Sequence, residues 1–94
     1  MKRNKAGKKP AGFFVYLLKC SDESYYCGFT KNIEQRIEAH NSGKGAKYTR
    51  ARRPVVLAYS EKKKTVLQAM RREREIKSFS RRQKEELIGK LIYN

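Results

Sequence analysis

Acidic residues are scarce in this sequence. Of its 94 residues only 9 are Asp or Glu, against 24 Lys and Arg, which gives a formal net charge of +15. Only a polyanion offsets the self-repulsion that such an excess creates, so nucleic acid is the first partner to expect and an anionic membrane surface the second. With 38% hydrophobic residues the chain is also too apolar for a disordered tail. We therefore predict a folded domain that binds nucleic acid.

Cysteine, histidine and long hydrophobic runs are equally sparse. The two cysteines, Cys20 and Cys27, and the single histidine, His40, are too few for a disulfide framework or a four-ligand zinc site. The longest apolar run covers residues 13–18, which is too short for a membrane span of about 18 residues or for a secretion signal. We therefore expect one small, soluble, cytoplasmic domain with reduced thiols and no membrane partner.

The chain divides into a basic arm and one domain. Residues 1–12 are rich in Lys and Arg and contain no acid, so they predict a flexible basic arm. Residues 13–94 predict a single folded domain. The β-type and helical patterns follow the order ββαβαα, an α+β class with antiparallel pairing at least in the first hairpin. The predicted strands are 13–20, 25–29 and 55–60, and the predicted helices are 30–41, 65–77 and 80–91.

Three pairs of polar residues predict where the helices begin. In each pair a short side chain that caps a helix is followed three residues later by glutamine, as in a capping box. The pairs are Asn32 with Gln35, Thr65 with Gln68, and Ser80 with Gln83.

A basic residue interrupts the apolar face of the first predicted helix. At about 100° per residue, Arg36 falls in the same arc as Ile33, Ile37 and His40. Arginine is rarely buried without a partner, so an anion is expected to meet Arg36. The alternative is a guanidinium that extends past the edge of the stripe into water. His40 by itself is more often a hydrogen-bonded boundary residue than a catalyst.

An acidic residue interrupts the next helix in the same way. Glu73 lies near the centre of an apolar arc that includes Ala69 and Ile76, where a carboxylate is costly to bury. Lys77, one turn later, is the ordinary partner and contributes only about 0.2–0.5 kcal/mol on an exposed helix. The functional alternative is Mg²⁺, which takes one or two protein carboxylates and completes its shell with water and phosphate oxygens.

Two tyrosines and a glycine mark the predicted hairpin. Tyr16 and Tyr26 share a sheet face only if the numbers of paired residues have an even sum, for example if the two tyrosines stand directly opposite. Tyrosine alone selects no site, because other tyrosines are available and aromatics in a small sheet are more often core. Gly28 is the sharper signal, since glycine in a strand marks a bulge or the close approach of a ligand or another backbone.

The segment from residue 43 to residue 54 predicts a surface loop. It contains two glycines and a proline, and its five basic residues have no acid among them. These residues are predicted to bind nucleic-acid phosphates. They are Lys44, Lys47, Arg50, Arg52 and Arg53.

Taken in order along the chain, these residues resemble the GIY-YIG endonuclease family. The first motif stands as Phe14-Val15-Tyr16 and the second as Tyr26-Cys27-Gly28, followed by Arg36, His40 and the Ala69–Glu73 spacing. The resemblance runs from residue 13 to about residue 91. Residues 40–49 are similar to the small stand-alone members and to the structure-selective branch-cutting nucleases. Two departures are the Phe14-Val15 in place of Gly-Ile and the lack of a downstream asparagine in residues 85–88.

The resemblance implies a three-stranded antiparallel sheet flanked by helices, and hydrolysis of DNA phosphodiester bonds with one divalent metal ion, Mg²⁺ or Mn²⁺. Glu73 would hold the metal and Arg36 would stabilise charge on the phosphate. Tyr16, Tyr26 or His40 would orient or deprotonate the attacking water. Branched or flapped DNA would be the substrate, in repair or recombination. The alternative is a catalytically weak DNA- or RNA-binding module on the same scaffold.

Overall fold

Three antiparallel strands form the centre of the structure. The computed structural model describes the backbone of residues 12–93 and the side chains of residues 12–89. Strand β1 (Phe13–Lys19) lies between β2 (Tyr25–Thr30) and β3 (Val56–Lys63), so the order across the sheet is β2–β1–β3. In the β1–β2 turn, the Asp22 carboxylate accepts the Ser24 N–H at 3.0 Å. The predicted α+β class and the antiparallel three-stranded sheet are confirmed.

One face of the sheet, here called the α3 face, carries the larger apolar core. Because side chains alternate along a strand, Val15 and Leu17 of β1 point to this face. They pack against Ala69 and Ile76 of helix α3 (Val66–Lys77), and all four side chains are 0% exposed. The apolar stripe of α3 therefore covers the sheet, as its helical spacing predicts.

The other face, here called the tyrosine face, carries a smaller and more polar core. Tyr16 and Leu18 of β1 point to it and pack with Val55, while Ile37 of helix α1 (Ile33–Asn41) covers them. The same alternation that buries Val15 and Leu17 on one side thus places Tyr16 on the other. The polar residues singled out on α1 lie above this face.

Each of the three predicted helix starts carries its predicted cap. The Gln35 N–H donates to Asn32 Oδ1 at 3.0 Å, and the Gln68 N–H donates to Thr65 Oγ1 at 3.1 Å. Helix α4 (Arg81–Tyr93) begins after Ser80, where both bonds of the box form: the Gln83 N–H donates to Ser80 Oγ at 3.1 Å, and the Ser80 N–H to Gln83 Oε1 at 2.8 Å. These side chains satisfy backbone donors that the first helical turn leaves unpaired.

Two predicted boundaries differ from the structure by three residues, one predicted loop contains a helix, and the other boundaries agree within two residues. Helix α1 begins at Ile33 rather than residue 30, because Thr30 completes β2. The predicted loop 43–54 contains a short helix, α2 (Lys47–Arg50). Strand β3 continues past residue 60 to Lys63, since its last residues still pair with β1. The predicted arm lies outside the described residues except for its last residue, 12. Within residues 12–93 no helix is both long and apolar enough to cross a membrane.

Candidate functional site

A buried chain of hydrogen bonds lies on the tyrosine face. The Tyr16 hydroxyl is 3.0 Å from His40 Nε2, and His40 Nδ1 is 2.7 Å from Thr49 Oγ1. Thr49 Oγ1 donates to the Ala46 carbonyl at 2.9 Å. A hydroxyl has one proton, so Thr49 accepts from His40 Nδ1–H and leaves Nε2 to accept from Tyr16. The Ala46 N–H also approaches Nδ1, but at 3.4 Å this longer contact does not outweigh the two shorter bonds.

Burial determines the protonation states of the groups in this chain of hydrogen bonds. His40 and Thr49 are 0% exposed and Tyr16 is 2% exposed. Burial lowers the pKa of His40, and the positive charge of Arg36 lowers it further. Burial also raises the pKa of Tyr16, although Arg36 opposes that rise through a hydrogen bond and its charge. At neutral pH the pair is therefore a protonated phenol that donates to a neutral imidazole.

Arg36 sits beside this pair without an acidic partner. It is half-buried on the apolar stripe of α1, as its spacing predicts. No ion pair joins it to a carboxylate within residues 12–89, although its charge acts on both Tyr16 and His40. The guanidinium therefore keeps hydrogen-bond donors that no described carboxylate takes up.

Tyr26 joins the same cluster from β2. The strand register pairs Tyr16 with Gly28 and Leu18 with Tyr26, so the paired residue numbers have an even sum and both tyrosines point to one face. The Tyr26 ring packs edge-on against His40, with ring centroids 5.3 Å apart. The two tyrosines are therefore diagonal neighbours across the strands and not directly opposite.

Gly28 makes room for Tyr16. A Cβ atom at this position would lie 2.5 Å from the Tyr16 hydroxyl oxygen and 2.8 Å from its Cζ. The sequence predicts a bulge or the close approach of a ligand or another backbone here, and the structure instead brings the ring of the opposite tyrosine against the strand. Only glycine leaves the space for that ring to reach His40.

Tyr48, in helix α2, extends the aromatic cluster. Its ring stacks on Tyr26 with centroids 6.0 Å apart and planes inclined by 22°. The Arg52 guanidinium lies 3.8 Å from the centre of the Tyr48 ring, and its Nε donates to Asp22 Oδ2 at 3.0 Å. This ladder holds α2 over the sheet. Periodicity could not find Tyr48 or Thr49, because both lie in the segment that reads as a loop.

Asn41 fixes the ends of that same segment. Its side-chain amide donates to the Val55 carbonyl at 3.0 Å, and the Val55 N–H donates back to Asn41 Oδ1 at 2.7 Å. Inside the segment, a Cβ on Gly45 would collide with the His40 ring. The loop is thus closed at its base and pressed against His40, which explains how it delivers Thr49 to the buried imidazole.

The five basic residues of this segment divide into two groups. Arg52 is used in the ladder to Asp22, and Arg53 donates to the Arg50 carbonyl at 2.9 Å. Lys44, Lys47 and Arg50 are exposed and form no ion pair with a described residue. Lys44, Lys47 and Arg50 therefore have charge available to a ligand, whereas the other two arginines stabilise the loop.

Glu73 lies outside the tyrosine cluster. Its side chain is 21% exposed and is 3.5 Å from Lys77 Nζ, the partner that its spacing offers. Its carbonyl accepts the Cys27 thiol at 3.8 Å, and Cys27 points to the α3 face, opposite Tyr26. Burial raises the pKa of Cys27 to about 12, with a smaller contribution from the Glu73 charge. No hydrogen bond, ion pair or ring contact among the described side chains joins Glu73 to Tyr16, Tyr26, Arg36 or His40.

The surroundings of Glu73 fit a weakly held divalent cation. The described residues contain no group of three His, Cys, Asp or Glu side chains that could enclose a metal ion. One half-buried carboxylate with a long, exposed lysine contact still has oxygen lone pairs to offer. That donor set suits Mg²⁺ or Mn²⁺, which keep several waters and take further ligands from phosphate.

Comparisons with known proteins identify the family of this chain. The family model for the GIY-YIG catalytic domain matches residues 12–86. A UPF0213 protein of Staphylococcus haemolyticus is 58% identical over 83% of this chain and 95% of its own length. A UPF0213 protein of Staphylococcus aureus is 52% identical over 80% of this chain and 92% of its own.

Two solution structures are also similar. The UPF0213 protein of Bacillus halodurans is 47% identical with a TM-score of 0.54, covering 82% of each chain. A protein of E. faecalis is 36% identical with a TM-score of 0.63, covering 92% of each chain. The residues of both motifs, the fold and these relatives lead to one assignment: the chain belongs to the GIY-YIG family, a family of nucleases.

Proposed function

We propose that this protein is a divalent-metal-dependent endonuclease that hydrolyses DNA phosphodiester bonds, including those of branched or flapped DNA. The observation that carries the proposal is the buried Tyr16–His40–Thr49 chain with the Arg36 charge beside it. A structural histidine needs no unpaired arginine next to it, because that charge only makes the site costlier. The arrangement becomes favourable when an anion such as a phosphate joins it.

The hydrogen-bond chain suggests how a proton would move. As the Tyr16 oxygen takes a proton from the attacking water, its own proton passes to His40 Nε2. Thr49 holds the Nδ1–H side of the ring throughout, so the imidazole does not rotate. Tyr16 alone would be a poor base at neutral pH, because burial raises its pKa and keeps its hydroxyl protonated. The neutral His40 beside it supplies the missing basicity.

Arg36 would link substrate binding to this transfer. In the free protein its charge lowers the pKa of His40 and so opposes proton uptake by the imidazole. A phosphate bound to the guanidinium neutralises that charge and removes the opposition. The site would therefore become a better proton acceptor only when a phosphodiester is present, and the same guanidinium would stabilise the charge that develops on the phosphate.

Glu73 would hold the metal ion. The chemistry that Mg²⁺ or Mn²⁺ held by Glu73 would supply is that of a Lewis acid, which would offset negative charge on a DNA phosphate. Because Arg36 and Glu73 lie over opposite faces of the sheet, a phosphodiester that contacts both would cross the outer edge of β2. Tyr26 projects from that strand and would orient the backbone there.

A cleavage assay with matched carboxylate variants tests this proposal. Glu73→Gln removes a carboxylate whose lysine partner lies four residues away at 3.5 Å, and Glu86→Gln removes one whose arginine partner lies four residues away, also at 3.5 Å. On plain, flapped and branched DNA with Mg²⁺ or Mn²⁺, Glu73→Gln is expected to lose at least about 100-fold in rate and Glu86→Gln less than about threefold. Equal activity of the two variants would sink the metal assignment.

A DNA- or RNA-binding module on the same scaffold is the second candidate. It is favoured by the ion pair of Glu73 with Lys77 and by the separation of Glu73 from the tyrosine cluster. In this case the wild-type protein cuts none of the three substrates, yet binds duplex DNA or RNA with an affinity that falls steeply as salt rises. Cleavage with Mg²⁺ or Mn²⁺ present decides between the two functions, and the same samples with chelator give the binding affinity without cleavage.

A further inference from the structure

A second basic surface lies between the end of β3 and the start of α3. It is an open groove of about 540 Å³. Five of its seven lining residues are Lys or Arg, and one is acidic. We call it the β3–α3 groove, lined by Lys62, Lys63, Lys64, Gln68, Arg71, Arg72 and Glu75. None of these residues belongs to the loop 43–54.

The acids near the groove are already neutralised. Glu61 binds Arg72 at 2.7 Å and Lys63 at 3.1 Å, and Glu75 binds Arg72 at 2.9 Å. The remaining cations, Lys62, Lys64 and Arg71, are exposed and form no ion pair with any residue in the described part of the chain. The groove therefore presents about three uncompensated positive charges to solvent.

The groove also offers neutral donors. Gln68 Oε1 accepts the Lys64 N–H at 3.1 Å, so the oxygen of this amide is used and its NH₂ group is left to donate to a ligand. Gln68 lies in the first turn of α3, where the helix dipole is positive. Several donors with little competing acid fit a ligand that has many anionic oxygens, such as a phosphodiester chain.

The position of the groove indicates which ligand fits. Strand β3 has eight residues, so its two ends are roughly 23 Å apart. The loop 43–54 precedes one end and the groove lies at the other. Tyr16 pairs with Ser60 between them. We propose that the β3–α3 groove binds the phosphodiester backbone of the DNA substrate, so that the loop 43–54 and the groove form two basic surfaces at opposite ends of β3. This inference rests on the proposed function for its ligand.

The spacing predicts the length of DNA required. At 3.4 Å per base pair, roughly 23 Å corresponds to about seven base pairs. A duplex of about 20 base pairs reaches both surfaces, whereas one of about six base pairs occupies one at a time. Contacts in the groove therefore add to affinity only on the longer duplex.

Binding measurements with two triple variants test the groove. Lys62→Gln/Lys64→Gln/Arg71→Gln removes its free charges, and Lys31→Gln/Arg74→Gln/Arg82→Gln removes three exposed charges elsewhere. Fluorescence anisotropy with a duplex of about 20 base pairs is recorded in chelator over a range of salt concentrations. The groove variant is expected to lose about 2.7 units of the slope of log affinity against log salt, and at least about tenfold in affinity near 0.1 M salt. The control variant is expected to lose less than about one unit.

The short duplex completes the test. There the groove variant should differ from wild type by only about twofold, because the loop surface still binds. Equal slope losses in the two triple variants, or an equal loss of affinity on long and short duplexes, would overturn the proposal that the groove binds DNA. Since these measurements need no cleavage, a groove that binds DNA in a protein that cuts none refutes the endonuclease alone. Cleavage with an unaffected groove variant refutes the groove alone.

Discussion

The two faces of the sheet each carry a half-buried arginine on a helix, and they treat it in opposite ways. On the α3 face, Arg72 donates to Glu61 at 2.7 Å and to Glu75 at 2.9 Å. On the tyrosine face, Arg36 meets a phenol and an imidazole and no described carboxylate. One arginine is part of a closed network, and the other is open toward a ligand.

The network around Arg72 shows what a structural arginine looks like in this chain. Its hydrogen bond with Glu61 raises the pKa of Arg72 despite the cost of burial. Burial alone would raise the pKa of Glu61, but the bonds from Arg72, Tyr59 and Lys63 lower it below its usual range. Each charge has a partner. Arg36 has no such network among the described residues, so its position contributes less to stability than that of Arg72.

The largest expected effect comes from exchanging each arginine for glutamine. Arg36→Gln should lower kcat/KM for DNA cleavage by about 10²–10³-fold, because it removes charge stabilisation at the phosphate. Its free energy of unfolding should change by less than about 0.5 kcal/mol, since no ion pair is broken. Arg72→Gln should lower the free energy of unfolding by roughly 1–3 kcal/mol, because it leaves Glu61 unpaired and half-buried.

Urea denaturation and steady-state cleavage measure both quantities on the same samples. Under conditions where it is folded, Arg72→Gln should keep kcat at saturating DNA within about threefold of wild type, whereas its KM should rise because Arg72 lines the β3–α3 groove. If Arg36→Gln is the less stable variant, or if Arg72→Gln loses as much kcat as Arg36→Gln, catalysis and stability are not separated between the two faces.

A smaller effect is expected at the glycine that faces Tyr16. Gly28→Ala places a methyl group 2.5 Å from the Tyr16 hydroxyl, so the ring must move away from His40. We expect a loss of about 1–3 kcal/mol in the free energy of unfolding, and a loss of cleavage at temperatures where the variant is folded. Gly89→Ala is the control. No described atom lies within 4 Å of its new Cβ, and in a helix it should stabilise the protein by about 0.5–1 kcal/mol.

Thermal and urea unfolding of the two glycine variants measure these changes in stability, and cleavage assays on the same samples measure activity. A Gly28→Ala protein as stable and as active as wild type would show that the fit of the Tyr16 ring against β2 is not needed.

Local patterns in the sequence predict much of this architecture. Spacing on the helix placed Arg36 and His40 on the buried side of α1, and residue types alone located three capping bonds. The even-sum rule predicts which strand registers bring Tyr16 and Tyr26 to one face, and the observed register is one of them. These predictions are correct because each depends on residues a few positions apart, or on a single strand pairing.

Features that depend on long-range return of the chain could not be predicted. Thr49 binds His40 only because the loop folds back, and Arg52 reaches Asp22 across 30 positions. The pairing of Glu61 with Arg72 requires both the β1–β3 register and the rotation of α3. Nothing in the periodicity separates these residues from ordinary surface charges. The position of Glu73 on the opposite face from Tyr26 depends on the same packing.

The smallest expected effect is a difference in the acid sensitivity of the two faces. On the tyrosine face, the folded pKa of His40 lies below its unfolded value of about 6.5. The unfolded chain therefore binds more protons as the pH falls below about 6.5, and stability is lost there. The titratable groups that face His40 are Tyr16 and Tyr26 from the sheet and Arg36 from its own helix, and none of them is a carboxylic acid. On the α3 face, the folded pKa of Glu61 also lies below its unfolded value, which is about 4.3, so its contribution is lost only under more acidic conditions.

Free energies of unfolding at a series of pH values should fall in two steps. His40→Gln should remove the step near pH 6 and leave the lower one, and Glu61→Gln should leave the step near pH 6 and reduce the lower one, to which the lowered pKa of Asp22 also contributes. A single step shared by both variants would mean that the two faces are not electrostatically independent. The different surroundings of Arg36 and Arg72 would then not act separately on stability.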